Sequence, residues 1–272
     1  MNSPSISRRS IAETFSAARA RGEIALMPFI SAGYPDLATT AAVLPAMEQS
    51  GADLIEIGFP FSDPIADGPT IQESYTVALA KKLKLADIFA CIAKVRPRVK
   101  LPLVAMVSYS IVFRYGLERF TADAKSAGFD ALILPDLPPP EAKSICRIVQ
   151  AGGLETILLV APTTTPQRRN EIAALSSGFI YYLSVSGITG ERDKLPEDLA
   201  ANIKAIKAVT DKPICVGFGI SKPEHIRQLS DLADGAIIGS AFVKRMTRHA
   251  GKGPEGVARA VAEYCRELRG QH

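Results

Sequence analysis

Eight short apolar runs, rich in Ile, Val and Leu, recur along the chain, each followed by a longer amphipathic stretch rich in Ala, Lys and Glu. That rhythm predicts a βαβα order and a parallel sheet. The runs fall at 24–30, 54–58, 103–107, 131–134, 156–160, 180–184, 214–217 and 235–238. The amphipathic stretches lie near 37–50, 74–95, 111–127, 139–151, 166–177, 197–209, 222–230 and 254–268, and an extra helix near 7–21 precedes the first strand. Pro102 and Pro213 sit just before strands, where a missing N–H is tolerated. Gly51, Gly128, Gly153 and Gly178 follow helical stretches and are expected to be left-handed caps. Ser221, ahead of Lys222-Pro223-Glu224, is expected to be an N-cap.

Such a chain forms either an open doubly wound sheet or a closed barrel. Open sheets usually have about five or six strands and a Gly-rich phosphate loop after the first. Here Ser31-Ala32-Gly33-Tyr34-Pro35 follows the first strand, without GxGxxG, and the glycines suited to phosphate come late. The expected fold is a (β/α)8 TIM barrel with an extra N-terminal helix and a short phosphate-binding helix after strand 8. Such a barrel takes about 250 residues. A chain of 272 residues with no linker, low-complexity tract or composition shift therefore predicts one domain over 1–272.

Other classes are excluded by charge and composition. The formal net charge is +4, and the basic residues are scattered, as at Arg8-Arg9, Lys81-Lys82 and Arg168-Arg169, without interleaved aromatics. A nucleic-acid groove needs a concentrated basic face, so a solvated surface is expected instead. Cys91, Cys146, Cys215 and Cys265 form no CxxC pair, and His225, His249 and His272 lie far apart. Neither a metal centre nor a disulfide scaffold is expected, but buried reduced thiols in a cytoplasmic protein. No apolar run follows Arg8-Arg9 as in a signal peptide, and none reaches the roughly 18 residues of a membrane span.

In a barrel the loops after strands 7 and 8 commonly bind phosphate, together with the N-terminus of a short helix. Gly217-Phe218-Gly219-Ile220-Ser221 ends strand 7, and Gly239-Ser240-Ala241 follows strand 8. Backbone N–H groups at Gly239 and Ser240 would face an anion at a positive helix end. The bland alternative is that these glycines only end strands. After strand 6, the polar segment from Val185 to Leu195 is long for a barrel loop and reads as a lid or as plain surface.

A glutamate inside the apolar run Leu54-Ile55-Glu56-Ile57-Gly58 needs a reason. Barrel strands alternate between interior and helix layer, so Glu56 shares the inward face with Leu54 and Gly58. Burial there raises a carboxyl pKa, which suits an acid or base. The alternative is a structural ion pair, but no predicted strand carries an internal basic residue. Asp67 lies in the stiff, proline-rich loop that follows, where Asp67-Gly68 also reads as a turn. Two carboxylates at one mouth suggest metal-free acid–base chemistry.

The stretch from Leu54 to Gln72, including Phe59-Pro60-Phe61-Ser62-Asp63-Pro64-Ile65-Ala66-Asp67-Gly68-Pro69-Thr70, resembles the signature of tryptophan synthase alpha chains. The likeness extends through Ala32-Gly33-Tyr34-Pro35, Pro135-Asp136-Leu137-Pro138, Tyr181-Tyr182-Leu183-Ser184, Gly187-Ile188-Thr189-Gly190, Gly217-Phe218-Gly219 and Gly239-Ser240-Ala241. It implies cleavage of indole-3-glycerol phosphate to indole and glyceraldehyde 3-phosphate, with Glu56 moving protons and Asp67 holding the indole N–H. It implies an indole pocket of Phe29, Ile71, Met106 and Tyr181, and a phosphate end and lid of Gly187, Thr189, Gly190, Gly217, Gly219, Gly239 and Ser240. It also implies no cofactor in this chain and a partner, the PLP-dependent beta chain, in an alpha2beta2 heterotetramer. The chain departs from the family at Ser108-Tyr109-Ser110, where a pocket tyrosine and an asparagine often stand at the first and third positions. Rival readings are another phosphate barrel, which would be expected to place a lysine inside a strand, a non-catalytic activating barrel, and a stand-alone lyase.

Overall fold

Each apolar run forms a strand, and the eight strands close on themselves in sequence order, with β1 pairing in parallel with both β2 and β8. The computed structural model describes residues 8–64, 67–183, 196, 198–217 and 219–271. The strands are β1 (Ala25–Ser31), β2 (Ile55–Gly58), β3 (Leu103–Met106), β4 (Ala131–Ile133), β5 (Glu155–Val160), β6 (Ile180–Leu183), β7 (Ile214–Gly217) and β8 (Gly235–Ile238). Around them lie α1 (Ile11–Ala20), α2 (Leu37–Gln49), α3 (Pro69–Ala80), α4 (Leu85–Val95), α5 (Tyr109–Tyr115), α6 (Leu117–Ala127), α7 (Ala142–Ala151), α8 (Pro166–Leu175), α9 (Leu199–Lys207), α10 (Pro223–Ser230), α11 (Ser240–His249) and α12 (Gly253–Leu268).

Strand parity divides the core in two. Met27, Leu54, Val104, Ile133, Ile157, Tyr181, Cys215 and Ile237 fill the barrel, and Ile11, Phe15 and Ala18 of α1 plug its N-terminal end. The Phe15 and Phe179 rings meet edge to face at 5.8 Å. The alternate residues, Ile55 and Ile57 among them, pack under the helices.

Three aspartates tie the N-terminal rim. Asp53, Asp130 and Asp234 each stand just before an even-numbered strand and engage the preceding strand twice. Their N–H groups donate to Leu26 O, Leu103 O and Ile214 O at 2.8–2.9 Å. Their carboxylates accept the N–H groups of the same residues at 2.9–3.0 Å. Arginines complete each tie: Arg21 and Arg269 at Asp53, Arg96 at Asp130, and Arg19 at Asp234.

Several local expectations are corrected. The stretch 74–95 is two helices, α3 starting earlier at Pro69, and the chain turns through a left-handed residue, Lys82 at φ 58°. The stretch 111–127 divides into α5 and α6 at Gly116, φ 94°. Gly51, Gly128 and Gly153 do take positive φ, whereas Gly178 does not. A Cβ at Gly178 would meet Ile11, Glu155 and Ile157 atoms at 3.4 Å, so that glycine serves close packing. Lys222, not Ser221, occupies the N-cap position of α10, with extended φ −134° and ψ 150°, one residue later than expected, and the Ser221 N–H donates to His225 Nδ1 at 3.3 Å. Cys146, Cys215 and Cys265 are buried and Cys91 half-buried, all as free thiols.

Candidate active site

β2 delivers Glu56 to the barrel interior, and the residue is 1% exposed. Among the described residues neither Oε1 nor Oε2 has a hydrogen-bond partner, and none forms an ion pair with Glu56. Burial first, and the charge of Asp67 second, push its carboxyl up to about 8. Asp67 follows in the loop from β2 to α3, and burial pushes it up to about 6. Its backbone is held from both sides. The Asp67 N–H donates to Pro64 O at 3.1 Å, and Gln72 Nε2 donates to Asp67 O at 2.7 Å. Near neutral pH the arrangement therefore offers a protonated Glu56 and an ionised Asp67.

The loops after β2, β3 and β4 enclose a cavity of about 370 Å³, lined by Phe59, Asp67, Tyr75, Met106, Ser108 and Asp136 among others. Of the expected pocket residues, Met106 lines this cavity. Phe29, Ile71 and Tyr181 are buried on β1, α3 and β6 and are not among its lining residues. Phe29 is the β1 partner of Glu56 in the strand register. Tyr181 faces both carboxylates: burial, then Glu56 and Asp67, push its phenol well above the usual range. Tyr75 shares that environment and was not singled out from sequence. Its signal is the helical spacing Ile71, Tyr75, Ala78, which reads equally as core.

At the other side, Gly239 and Ser240 form the N-terminus of α11, a helix of 10 residues with no side-chain cap. Its leading N–H groups are thus open to an anion. A Cβ at Gly239 would lie 3.8 Å from the Phe29 side chain, so this helix end adjoins the apolar pocket. Gly217 ends β7 against Tyr181: a Cβ there would lie 2.5 Å from Tyr181 Oη, so Gly217 makes room for the phenol. Gly219 lies in the turn after β7, and the neighbouring Ser221 O accepts from Tyr264 OH at 2.8 Å. Gly187, Thr189 and Gly190 lie outside the described residues. Among the described residues no three metal-capable side chains gather.

The divergent turn is ordered by Asp136. Ser108 Oγ donates to Asp136 Oδ2 at 2.6 Å, the Tyr109 N–H donates to Oδ1 at 2.6 Å, and Tyr109 OH donates to Glu141 at 2.9 Å.

A sequence profile described as tryptophan synthase alpha chain matches residues 15–271. The chain belongs to the tryptophan synthase alpha chain family. The alpha chain of Synechocystis sp. is 46% identical over 261 residues, 96% of this chain and 98% of its own. That of Chloroflexus aggregans is 46% identical over 259 residues, 95% and 96%. Among solved structures, tryptophan synthase of Mycobacterium tuberculosis superposes with a TM-score of 0.85 at 33% identity, covering 97% of this chain and 99% of that one. The tryptophan synthase alpha subunit of Pyrococcus furiosus gives 0.84 at 35% identity, covering 92% and 98%. Another solved structure, from the same organism, is described as the a2b2 complex. Tryptophan synthase alpha subunits cleave indole-3-glycerol phosphate in tryptophan biosynthesis, a lyase reaction.

Proposed function

We propose that Glu56 and Asp67 divide the work of this lyase. Cleaving indole-3-glycerol phosphate requires a proton on indole C3, loss of the proton from the adjacent side-chain hydroxyl, and scission of the C–C bond between them. The electron pair of that bond returns to the indole ring, and the hydroxyl carbon becomes the aldehyde of glyceraldehyde 3-phosphate. Glu56 serves the proton transfers, because its carboxyl is desolvated, unpartnered and pushed up to about 8. Asp67 accepts the indole N–H and stabilises the positive charge that C3 protonation places on the ring. Phe29, Ile71, Met106 and Tyr181 wall the ring, and the α11 N-terminus at Gly239 and Ser240, with Gly219, takes the phosphate. Gly187, Thr189, Gly190 and Gly217 keep their assignment to the phosphate end and its lid, and Gly217 also makes room for Tyr181.

The observation that carries this assignment is the orphaned carboxyl of Glu56 inside the barrel. Proton transfer between the two carboxyl groups and substrate needs no cofactor in this chain, and PLP belongs to the beta chain. We take residues 1–272 as one domain working in the cytoplasm, where free thiols persist. The partner is a beta chain, in an alpha2beta2 assembly. Phe113 on α5 is 70% exposed and meets the Tyr109 ring in a tilted contact at 6.0 Å, an aromatic surface suited to that contact. Among the described residues no helix is long and apolar enough to cross a membrane.

Indole release from indole-3-glycerol phosphate, measured with and without a beta chain, tests the assignment. Weak release alone and strong stimulation by the partner are expected. No release under either condition would refute it, and full activity alone would mark a stand-alone lyase.

A further inference from the structure

The last helix carries a phenol into the core. The buried face of α12 includes Val257, Val261, Tyr264 and Leu268, at helical spacing. A buried tyrosine hydroxyl generally takes a hydrogen-bond partner. Tyr264 is 4% exposed, and its OH donates to Ser221 O at 2.8 Å, in the turn between β7 and α10. The other backbone group of Ser221 is held as well: its N–H donates to His225 Nδ1 on α10 at 3.3 Å. With both groups bonded to side chains, the peptides on either side of Ser221 cannot rotate without losing a bond. Ile220, just before it, is buried at 2% exposure. The turn that carries Gly219 is therefore anchored immediately beyond that glycine.

The ring of the same tyrosine is seated on α11. Phe242 and Arg245, three residues apart and so on one face of that helix, both meet it. The Phe242 ring lies 4.8 Å from the Tyr264 ring, centroid to centroid, in a tilted contact, and the Arg245 guanidinium lies over the Tyr264 ring at 4.6 Å. Glu267, also on α12, pairs with Arg245 at 3.2 Å. Phe242 is fully buried and belongs to the first turn of α11, which begins at Ser240 without a side-chain cap. In the strand register Gly217 stands opposite Ile237, and Gly219 and Gly239 each lie two residues further on. One side chain thus contacts both of the backbone segments assigned to the phosphate.

We propose that Tyr264 is a positioning residue for the substrate's phosphate: its hydroxyl holds the turn after β7 while its ring holds the first turn of α11, so that N–H groups from the two segments converge on one anion. Convergence matters because a hydrogen bond weakens steeply when its donor points off axis. Tyr264 acts through Ser221 and Phe242, not on the anion itself. The inference rests on Gly219, Gly239 and Ser240 as the phosphate end.

Tyr264→Phe removes the hydroxyl and keeps the ring against Phe242 and Arg245. With the beta chain present, KM for indole-3-glycerol phosphate is expected to rise about threefold to tenfold, the worth of one hydrogen bond. kcat should hold, because phosphate binding is shared by ground state and transition state. Product inhibition by glyceraldehyde 3-phosphate should weaken by the same factor, and inhibition by indole, which carries no phosphate, should not. An unchanged KM would overturn the proposal. So would an equal loss in kcat or in inhibition by indole, which would mark a general packing role. Ser240→Asp, run beside it, tests the footing. If Ser240→Asp raises KM and Tyr264→Phe does not, the role of Tyr264 falls alone. If Ser240→Asp leaves KM unchanged, the phosphate end lies elsewhere and Tyr264 falls with it.

Discussion

Gly217 and Tyr181 form a matched pair: a methyl group at the end of β7 would sit 2.5 Å from the Tyr181 hydroxyl and 2.6 Å from the ring carbon Cε1. Gly217→Ala therefore pushes on a buried phenol that faces Glu56. Overpacking of this kind destabilises by about 1–3 kcal/mol. Substrate turnover should suffer more than stability, with kcat/KM down roughly a hundredfold for a misplacement near 1 Å. Steady-state kinetics together with a thermal melt separate the two. Unaltered kinetics would show that Tyr181 does not need its present position.

The two carboxyl groups predict a bell-shaped pH profile. Asp67, pushed up to about 6, loses its charge as pH falls through that value, and activity falls with it. Glu56, pushed up to about 8, loses its proton as pH rises through that value, and the acid is lost. kcat/KM should thus be greatest between those limits, since it reports the free enzyme's groups. In Asp67→Asn the charge that helps to raise Glu56 is gone, so the base limb should move to lower pH. A base limb that stays put would contradict the electrostatic link.

The phosphate end is tested by charge. Ser240→Asp puts a carboxylate at the N-terminus of α11, where it would compete with an anion. KM for indole-3-glycerol phosphate should rise on the order of tenfold or more, while kcat changes little, because ground-state and transition-state binding of the phosphate are lost alike. Unchanged KM would place the phosphate elsewhere.

Away from the site, the tie at Asp53 should govern stability. Asp53 is 4% exposed, accepts the Leu26 N–H, and meets both Arg21 and Arg269, the latter also bonded to Gly51 O and Ile24 O. Asp53→Ala leaves Arg269 with only the more exposed Glu23 as an anion, a loss of about 3 kcal/mol, the low end for breaking a buried pair. Chemical denaturation measures it; a midpoint unmoved in urea would refute the tie.

Much of this was legible because parallel strands, buried on both faces, spell themselves as apolar runs, and because Glu56 breaks one of those runs at an inward position. What stayed hidden had no distinctive spelling. Lys82 takes a left-handed conformation that nothing in Lys81-Lys82-Leu83 announces, so one amphipathic stretch concealed two helices. Tyr75 repeats the phase of Ile71 and Ala78, and core and cavity wall look alike at that spacing. That Gly217 also makes room for Tyr181 was hidden because the ring that needs the space lies on another strand. The rim aspartates were passed over because each contacts residues distant in sequence, such as Leu26 for Asp53.

Glu56→Gln is the most direct test of the central claim. The substitution keeps the shape of a side chain that is 1% exposed and removes its capacity to exchange a proton. Indole release in a single turnover, with substrate binding measured in parallel, should show turnover lost by a factor of roughly a thousand or more, within the range of general acid–base catalysis, while binding is retained. Turnover at the wild-type rate would contradict the claim that Glu56 moves the protons.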